Sequence, residues 1–558
     1  MRRLTVLLLL LIIVALGCGR RASKPEATAA AGDGPRPVDP RWVTIYDPKL
    51  AWTGYTLTLH RGRMPVLLDM NGRPVHRWPD LKIKSRVRLL PDGSILGLAF
   101  GREVAQYDWE GRQTWSFHTG EAIPHHDIIR LANGNTLVLV LYDGETADTL
   151  LEVDRAGKVV WTWKALERLG KLIPAKPSHP NEITHINSLQ ELPENPWHAA
   201  GDQRFRPGNL LISARNLNTV FIIDRPSGDV VWSYTEDLDL QHEALMNGPG
   251  LPEPGMIHLF NNRRGSFWSD RQSELLEIDP RQGSVVWRYK SPGFFSPTAG
   301  TQQVLPNGNL LVTSTRGGRV FEITRDGRIV WQWVPPFEPG RALRITADFC
   351  PQLARLAAQT PQTPQAVTPP AGYRYIDPEA YKFARQGSRT TAVVDGEKRG
   401  VLKEENDCRN LLLPAAARLQ VGYGIDRDRL RATGRADRPP RFTVHLHRDG
   451  AAEGERIELL GDTVGLDGPS WREKTLPLDA YAGQEVELCV EVDGGNGGKA
   501  PTARKAERFA FWDQPMIVTP LDLARAQQGD GDDDDPRSMT PEEQDVRRKH
   551  LKALGYIG

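Results

Sequence analysis

Val220-Phe-Ile-Ile-Asp-Arg-Pro-Ser-Gly-Asp-Val-Val-Trp232 and Leu275-Leu-Glu-Ile-Asp-Pro-Arg-Gln-Gly-Ser-Val-Val-Trp287 are one phrase written twice. Further copies run from Val66 to Trp78, Val104 to Trp115, Leu150 to Trp161 and Val320 to Trp331. Each begins with an apolar, β-branched run, turns on a glycine with Asp, Asn or Glu nearby, and resumes with a second run ending in tryptophan. That is the pattern of a β-hairpin. A second phrase precedes most copies: Leu90-Pro-Asp-Gly-Ser-Ile-Leu, Leu131-Ala-Asn-Gly-Asn-Thr-Leu, Pro207-Gly-Asn-Leu-Leu-Ile and Leu305-Pro-Asn-Gly-Asn-Leu-Leu. It is another hairpin, so each unit holds four strands.

Six four-stranded sheets cannot each bury two faces alone. Arranged radially they can, each packing on the next with short, protected edges. The expected fold is therefore all-β: a six-bladed β-propeller over residues 45–350. Its tryptophans read as wedges between blades. A propeller's ligand sits at a mouth of the central channel, built by the loops that enter the innermost strands.

The 558 residues exceed one ordinary domain. With Lys+Arg 71 and Asp+Glu 70, the net charge is +1, which argues against a nucleic-acid partner or a polybasic membrane surface. Arg2 and Arg3, the apolar run Leu7 to Leu16 and then Gly17-Cys18 read as an export signal over 1–18. Gly17-Cys18 resembles the lipobox of bacterial lipoproteins, which makes Cys18 the lipidated residue and the lipid the only membrane contact. Residues 19–44 read as a tether, and the mature protein is expected to be periplasmic or at the cell surface. Of the other cysteines, Cys350 with Cys408 is one pairing the sequence allows; Cys489 is the third.

Residues 351–372, rich in Pro, Gln, Thr and Ala, read as a linker. Residues 373–520 alternate apolar and polar: Phe442, Val444 and Leu446 against Thr443, His445 and His447, and Val486, Leu488 and Val490 against Glu487 and Glu491. With Trp471 and the Phe509-Ala-Phe-Trp ending, they resemble a galactose-binding-like, jelly-roll-type β-sandwich with a glycan as one conceivable partner. His445 and His447 share one side of their strand, but no further ligand is in view and they read as solvated. Residues 521–558 read as an acidic linker and a short C-terminal helix with Thr540-Pro-Glu-Glu543 as capping box.

The histidines carry the chemistry. His126 lies eight residues before the turn glycine Gly134, and Gly300 holds that offset before Gly308. His185, with Asn187 two residues on, and His242 fit the same register once loops are inserted after them, at 193–207 and 247–254. Three successive blades then place His126, His185 and His242 at one channel mouth. A three-histidine metal site is one use of such a set, although no HxH or HExxH spacing supports it here. The other is an oxyanion site with a nucleophilic imidazole. Arg215, in Ser213-Ala-Arg-Asn-Leu-Asn-Thr, ends a strand of the His185 blade and offers a forked donor set for tetrahedral anions.

The run His185-Ile-Asn-Ser-Leu, then Asn209-Leu-Leu-Ile-Ser-Ala-Arg-Asn-Leu-Asn-Thr, Gln241-His242 and Leu305-Pro-Asn-Gly-Asn-Leu-Leu-Val-Thr resemble the bacterial arylsulfotransferase family. The resemblance covers about residues 50–350. It implies transfer of a sulfuryl group from an aryl sulfate ester to a phenolic acceptor through a sulfohistidine, with no nucleotide donor, metal or diffusible cofactor. Carried over, His242 corresponds to the nucleophile and His126 to the first supporting histidine, with His125 adjacent. His185, Asn187 and Arg215 match the anion-binding set, and Thr313 completes it, with Thr315 as its alternative. Better-known members carry a small β domain before the propeller, whereas here the extra domain follows it. Two other readings remain: a non-catalytic, carbohydrate- or ligand-binding propeller lipoprotein, and a quinone- or metal-dependent propeller enzyme.

Overall fold

The turn glycines of the six phrases sit at positive φ, between 64° and 87°, where a side chain would be strained. In five of the six, the turn closes with the glycine N–H donating to the carbonyl of the aspartate that opens it; in the last, Thr324 takes that place. The strands so joined form six antiparallel sheets, five of four strands and the last of five. The computed structural model describes residues 42–519, with breaks of which the longest are 264–271, 378–388, 449–455 and 494–508. The leader with Cys18, the acidic run and the C-terminal helix lie outside the described residues.

Blades 2 to 6 take their innermost strands in chain order: Ile83–Leu89, Ala122–Arg130, Ile186–Glu191, His242–Met246 and Thr301–Val304. Blade 1 is different. Its outer three strands are Tyr55–His60, Met64–Leu68 and Pro74–Arg77, and its innermost strand, Leu343–Ile345, arrives from beyond the last repeat. Val43–Tyr46 in turn pairs with Ile329–Trp333 at the outer edge of blade 6. Both chain ends of the propeller thus close the ring. The loops expected after His185 and His242 lie between the first and second strands of blades 4 and 5.

The tryptophans act as wedges with a shared bond. Trp232 of blade 4 donates its indole N–H to Pro280 O in the turn of blade 5, at 2.8 Å. Trp287 reaches Arg325 O of blade 6 at 3.1 Å, and Trp331 reaches Met70 O of blade 1 at 2.8 Å. In blade 3 the bond comes from Trp163, two residues after the repeat's Trp161, to Gly228 O of blade 4. Trp78 packs instead against Trp109, in the turn of blade 2. Trp331→Phe keeps an aromatic ring but removes the indole's five-membered ring with its buried donor, leaving Met70 O unmatched. It is expected to lower stability by about 1 kcal/mol, read as a shift in urea midpoint.

Residues 351–372 depart from a free linker. Pro351–Gln359 is a helix that buries Leu353 against blades 1 and 2. The run after it is stitched to the blade 1 turn: Met70 N donates to Gln362 Oε1, Asn71 Nδ2 to Thr363 O, and Gln365 N to Asn71 Oδ1. The Gln362 side chain meets backbone, and the backbone of Thr363 and Gln365 meets the Asn71 side chain, pairings that composition does not reveal.

Beyond it, Asp407–Leu412, Glu485–Asp493, Arg441–Arg448 and Arg456–Thr463 make one sheet. Trp471–Pro477, Arg418–Ile425, Ala510–Trp512 and Met516–Val518 make the other. Phe442, Val444, Leu446, Tyr423, Leu488 and Trp512 fill the space between them, completing a β-sandwich. The pairing Cys350–Cys408 does not occur. Cys408 and Cys489 are register partners on adjacent strands and form the disulfide, whereas Cys350 is buried and free in the propeller cluster.

Candidate active site

The inner strands do not run straight past the channel mouth. In blades 2 to 5 their register with the second strand slips, at Lys84/Val87, opposite Val138/Val140, at Ile186/Ser188 and at His242/Leu245. Ser85, His126, His185, Glu243 and Ala299 have φ between 47° and 57°, one at or just before the inner strand of each of blades 2 to 6. Bulges of this kind re-aim side chains that a regular pleat would send into a blade interface. A non-glycine residue held there costs on the order of 1–3 kcal/mol, a cost the surrounding fold offsets.

These bulges bring the expected histidines together. His126 and His185 have ring centroids 4.5 Å apart, and His125 and His126 4.9 Å. His242 is 4 % exposed, and its Nδ1 faces two acceptors: Asn262 Oδ1 at 2.7 Å and Leu240 O at 3.0 Å. Two acceptors fix the proton on Nδ1 and leave the lone pair on Nε2. Among the described residues Nε2 makes no hydrogen bond. Burial, then the charge of Arg215 and, more weakly, that of Arg341, pull the His242 imidazolium down to about pKa 3 against the pull of Asn262. Burial likewise sets His126 and His185 well below the usual histidine value, with His185 next in order acting on His126 and Arg215 on His185. All three rings are neutral at pH 7.

His125 turns to a carboxylate: its Nε2 lies 2.9 Å from Asp148 Oδ1, while Asp148 Oδ2 accepts from Thr184 Oγ1 and Ile186 N. Asn187 brackets His242 from the neighbouring blade. Its Nδ2 donates to Gln241 O at 2.8 Å and its Oδ1 accepts from Glu243 N at 3.4 Å. Arg215 is buried just past the second strand of blade 4, its backbone N–H on His185 O and its Nη1 on Asn216 Oδ1. Thr313 is buried on the second strand of blade 6, where its hydroxyl accepts from Ala342 N at 3.0 Å. It thereby fixes the residue next to Arg341. Thr315 lies in the turn beyond.

Several residues of the site escaped the sequence reading. Arg341, at the entry to the borrowed inner strand of blade 1, donates to Glu243 Oε2 and Asn187 O, both at 2.8 Å. Arg86 reaches Asp127 Oδ1 at 2.9 Å and Glu243 Oε1 at 2.8 Å, and Arg88 reaches Asp127 at 2.9 Å. The chain Arg88–Asp127–Arg86–Glu243–Arg341 crosses the channel with three cations and two anions, so the floor keeps a positive surplus. Glu182, beside blade 4, puts Oε1 2.8 Å from His185 Nδ1. Burial and the charge of Asp148 push its carboxyl up to about 9 in spite of Arg215, so it is neutral at pH 7. His179, read as surface or structural, is close enough for its charge to act on His185. Two signals were present. Ser85, beside Arg86, has the same eight-residue offset from Gly93 that marks His126, and ring closure requires a strand after the last repeat.

Residues 97–335 match the arylsulfotransferase (ASST) family model, a span that holds every expected site residue from His126 to Thr313. Over that span the propeller is similar to the arylsulfotransferase family. Arylsulfotransferase-type activity on aryl sulfates and phenols follows at that coarse level. Arg86 and Arg341 fall outside the matched span. No curated protein matches the chain. Solved structures similar to this chain include a Bacteroides caccae protein of unknown function, 15% identical with a TM-score of 0.39, covering 52% of this chain and 98% of that one. The WD40 β-propeller domain of Doa1 is 12% identical with a TM-score of 0.31, covering 51% and 76%. A streptogramin B lyase is 13% identical with a TM-score of 0.32, covering 52% and 82%.

Proposed function

We propose that the protein moves a sulfuryl group from an aryl sulfate to a phenol through a covalent sulfohistidine at His242 Nε2. The observation that supports this most directly is the pinned Nδ1–H of a buried, neutral imidazole whose Nε2 is left open, beside two histidines and two arginines. Nε2 attacks sulfur, the S–O(aryl) bond breaks and the phenolate leaves. The positive charge that develops on the ring is met at Nδ1–H by Asn262 Oδ1 and Leu240 O, acceptors already in place. Arg215 and the imidazoles of His126 and His185 face the sulfuryl oxygens and the leaving phenolate. In the second half, the acceptor oxygen attacks sulfur, its proton passes to a neutral neighbouring imidazole and the S–N bond breaks. Dividing the transfer in two replaces one hard step by two easier ones. No step calls for a metal or cofactor.

The pH profile tests this. Attack needs neutral His242, whose proton binds with a pKa of about 3, so kcat/KM for the donor ester holds through pH 6.5 and falls only on approach to that value. At the other end, ionisation of Glu182 near pH 9 places a negative charge beside an anionic substrate, and the profile falls again. Glu182→Gln, already matching the neutral carboxyl in shape and charge, is expected to keep activity within about threefold at pH 7 and to remove the alkaline limb. An acidic limb near 6.5, or an alkaline limb that survives Glu182→Gln, contradicts these assignments. We also infer export through residues 1–18 with lipid on Cys18; the disulfide of the sandwich supports an oxidising compartment.

A further inference from the structure

The outer face of the first sandwich sheet carries donors that have no part in sulfuryl transfer. Strands Asp407–Leu412, Glu485–Asp493 and Arg441–Arg448 are neighbours, and their register sets Cys408 opposite Cys489 and Cys489 opposite His445. His447 is two residues along on the same face, opposite Glu487. A ring nitrogen of His445, a ring nitrogen of His447 and the Cys489 sulfur lie within 4.8 Å of one another. The two imidazole centroids are 5.1 Å apart and the rings perpendicular. His445 is 2 % exposed, and its Nδ1 has no hydrogen-bond partner. An orphaned nitrogen in a buried ring is a cost that a ligand would relieve.

The sulfur is closed off only by its bond to Cys408. We propose that Cys489, His445 and His447 form a zinc-class metal site that opens when the Cys408–Cys489 disulfide is reduced, with Cys408 supplying the fourth ligand as a second thiolate. Reduction draws two electrons and two protons from a dithiol, which leaves as its own disulfide, and turns the S–S bond into two thiols. Zn²⁺ then displaces the thiol protons to solvent and takes a two-sulfur, two-nitrogen set, the mixture that suits tetrahedral zinc. Cys408 already lies beside Cys489, so opening the site requires rotation of a side chain rather than movement of a strand. In an oxidising compartment the disulfide keeps the site shut, and electrons delivered by a dithiol open it.

The test uses the full chain and no activity assay. Zn²⁺ is titrated by calorimetry into the oxidised protein, into protein reduced with a phosphine and then freed of it, and into reduced His445→Ala/His447→Ala. The reduced protein is expected to bind one ion at least about 100-fold more tightly than the oxidised form, and the double variant to lose that gain; removing even a residue that merely orients a ligand costs a metal site roughly 10–100-fold. Co²⁺ added to the reduced, unmutated chain should give a thiolate-to-cobalt charge-transfer band, a readout that needs no variant to fold. Cys408→Ser frees Cys489 without reductant and should bind Zn²⁺ more tightly than the oxidised wild type. Equal affinity of both redox forms, tight binding that survives loss of both histidines, or no charge-transfer band in the reduced chain would overturn the site.

Discussion

His242→Ala is expected to lower kcat/KM for aryl sulfate by about 10⁴-fold or more, the scale on which removal of an attacking group acts in covalent catalysis. The expectation is specific in kind as well as size. With donor in excess over enzyme and no acceptor present, the wild type should release one phenol per active chain and stop, holding a sulfuryl group that peptide mass spectrometry places on His242. The variant should release none. His126→Ala and His185→Ala remove stabilising groups rather than the attacking atom, so the burst should survive them at a reduced rate. Release that continues without acceptor would point to hydrolysis, and a burst that persists in His242→Ala would move the nucleophile elsewhere. Asn262→Ala offers a finer probe. It withdraws the nearer of two acceptors from Nδ1–H, so the tautomer is held by Leu240 O alone and the charged intermediate loses one stabilising contact.

The repeats made the propeller readable because each blade states its two hairpins anew, and six weak signals in register amount to a strong one. His126, His185 and His242 were readable for the same reason: His126 stands eight residues before a recurring turn glycine, and His185 and His242 fall into that register once the loops at 193–207 and 247–254 are set aside. What the sequence hid was non-local. Arg341 belongs to blade 1 only because the chain returns after blade 6, and no local pattern marks that return. Arg86 sits beside a serine, and a serine at the critical offset carries no chemical signal, although its φ of 53° repeats that of His126 at 54°. The disulfide could not be chosen among three cysteines by spacing, because it depends on which strands become neighbours. His445 and His447 looked solvated for want of a third donor, and that donor lies on another strand of the sheet. Pattern along the chain thus set the strands and the histidine register, while pairing across the chain set the arginines, the sulfur bridge and the stitching of residues 351–372.

Asp127→Ala is expected to cost about 3–5 kcal/mol of stability, the loss that follows when one partner of a buried ion pair is removed. Asp127 is fully buried, and its carboxylate holds three blades at once: Arg86 and Arg88 from blade 2, its own Ile128 N–H in blade 3, and Leu189 N–H from blade 4 at 2.9 Å. Burial alone would raise its pKa, yet the guanidinium groups of Arg86, Arg88 and Arg341 outweigh burial and hold the carboxylate charged. Alanine there leaves Arg86, itself 1 % exposed, with Glu243 as its remaining anion. Glu243 then has an under-compensated Arg86 on one side and Arg341 on the other, so the strand that carries His242 is disturbed as well. The loss comes from stranded charge rather than lost volume, and a double-mutant cycle separates the two. Asp127→Leu with Arg88→Met should be less damaging than the sum of the single changes, because each removes the other's unpaired charge. If urea midpoints show the two losses simply adding, the carboxylate is acting as packing and the charge account of the channel floor fails.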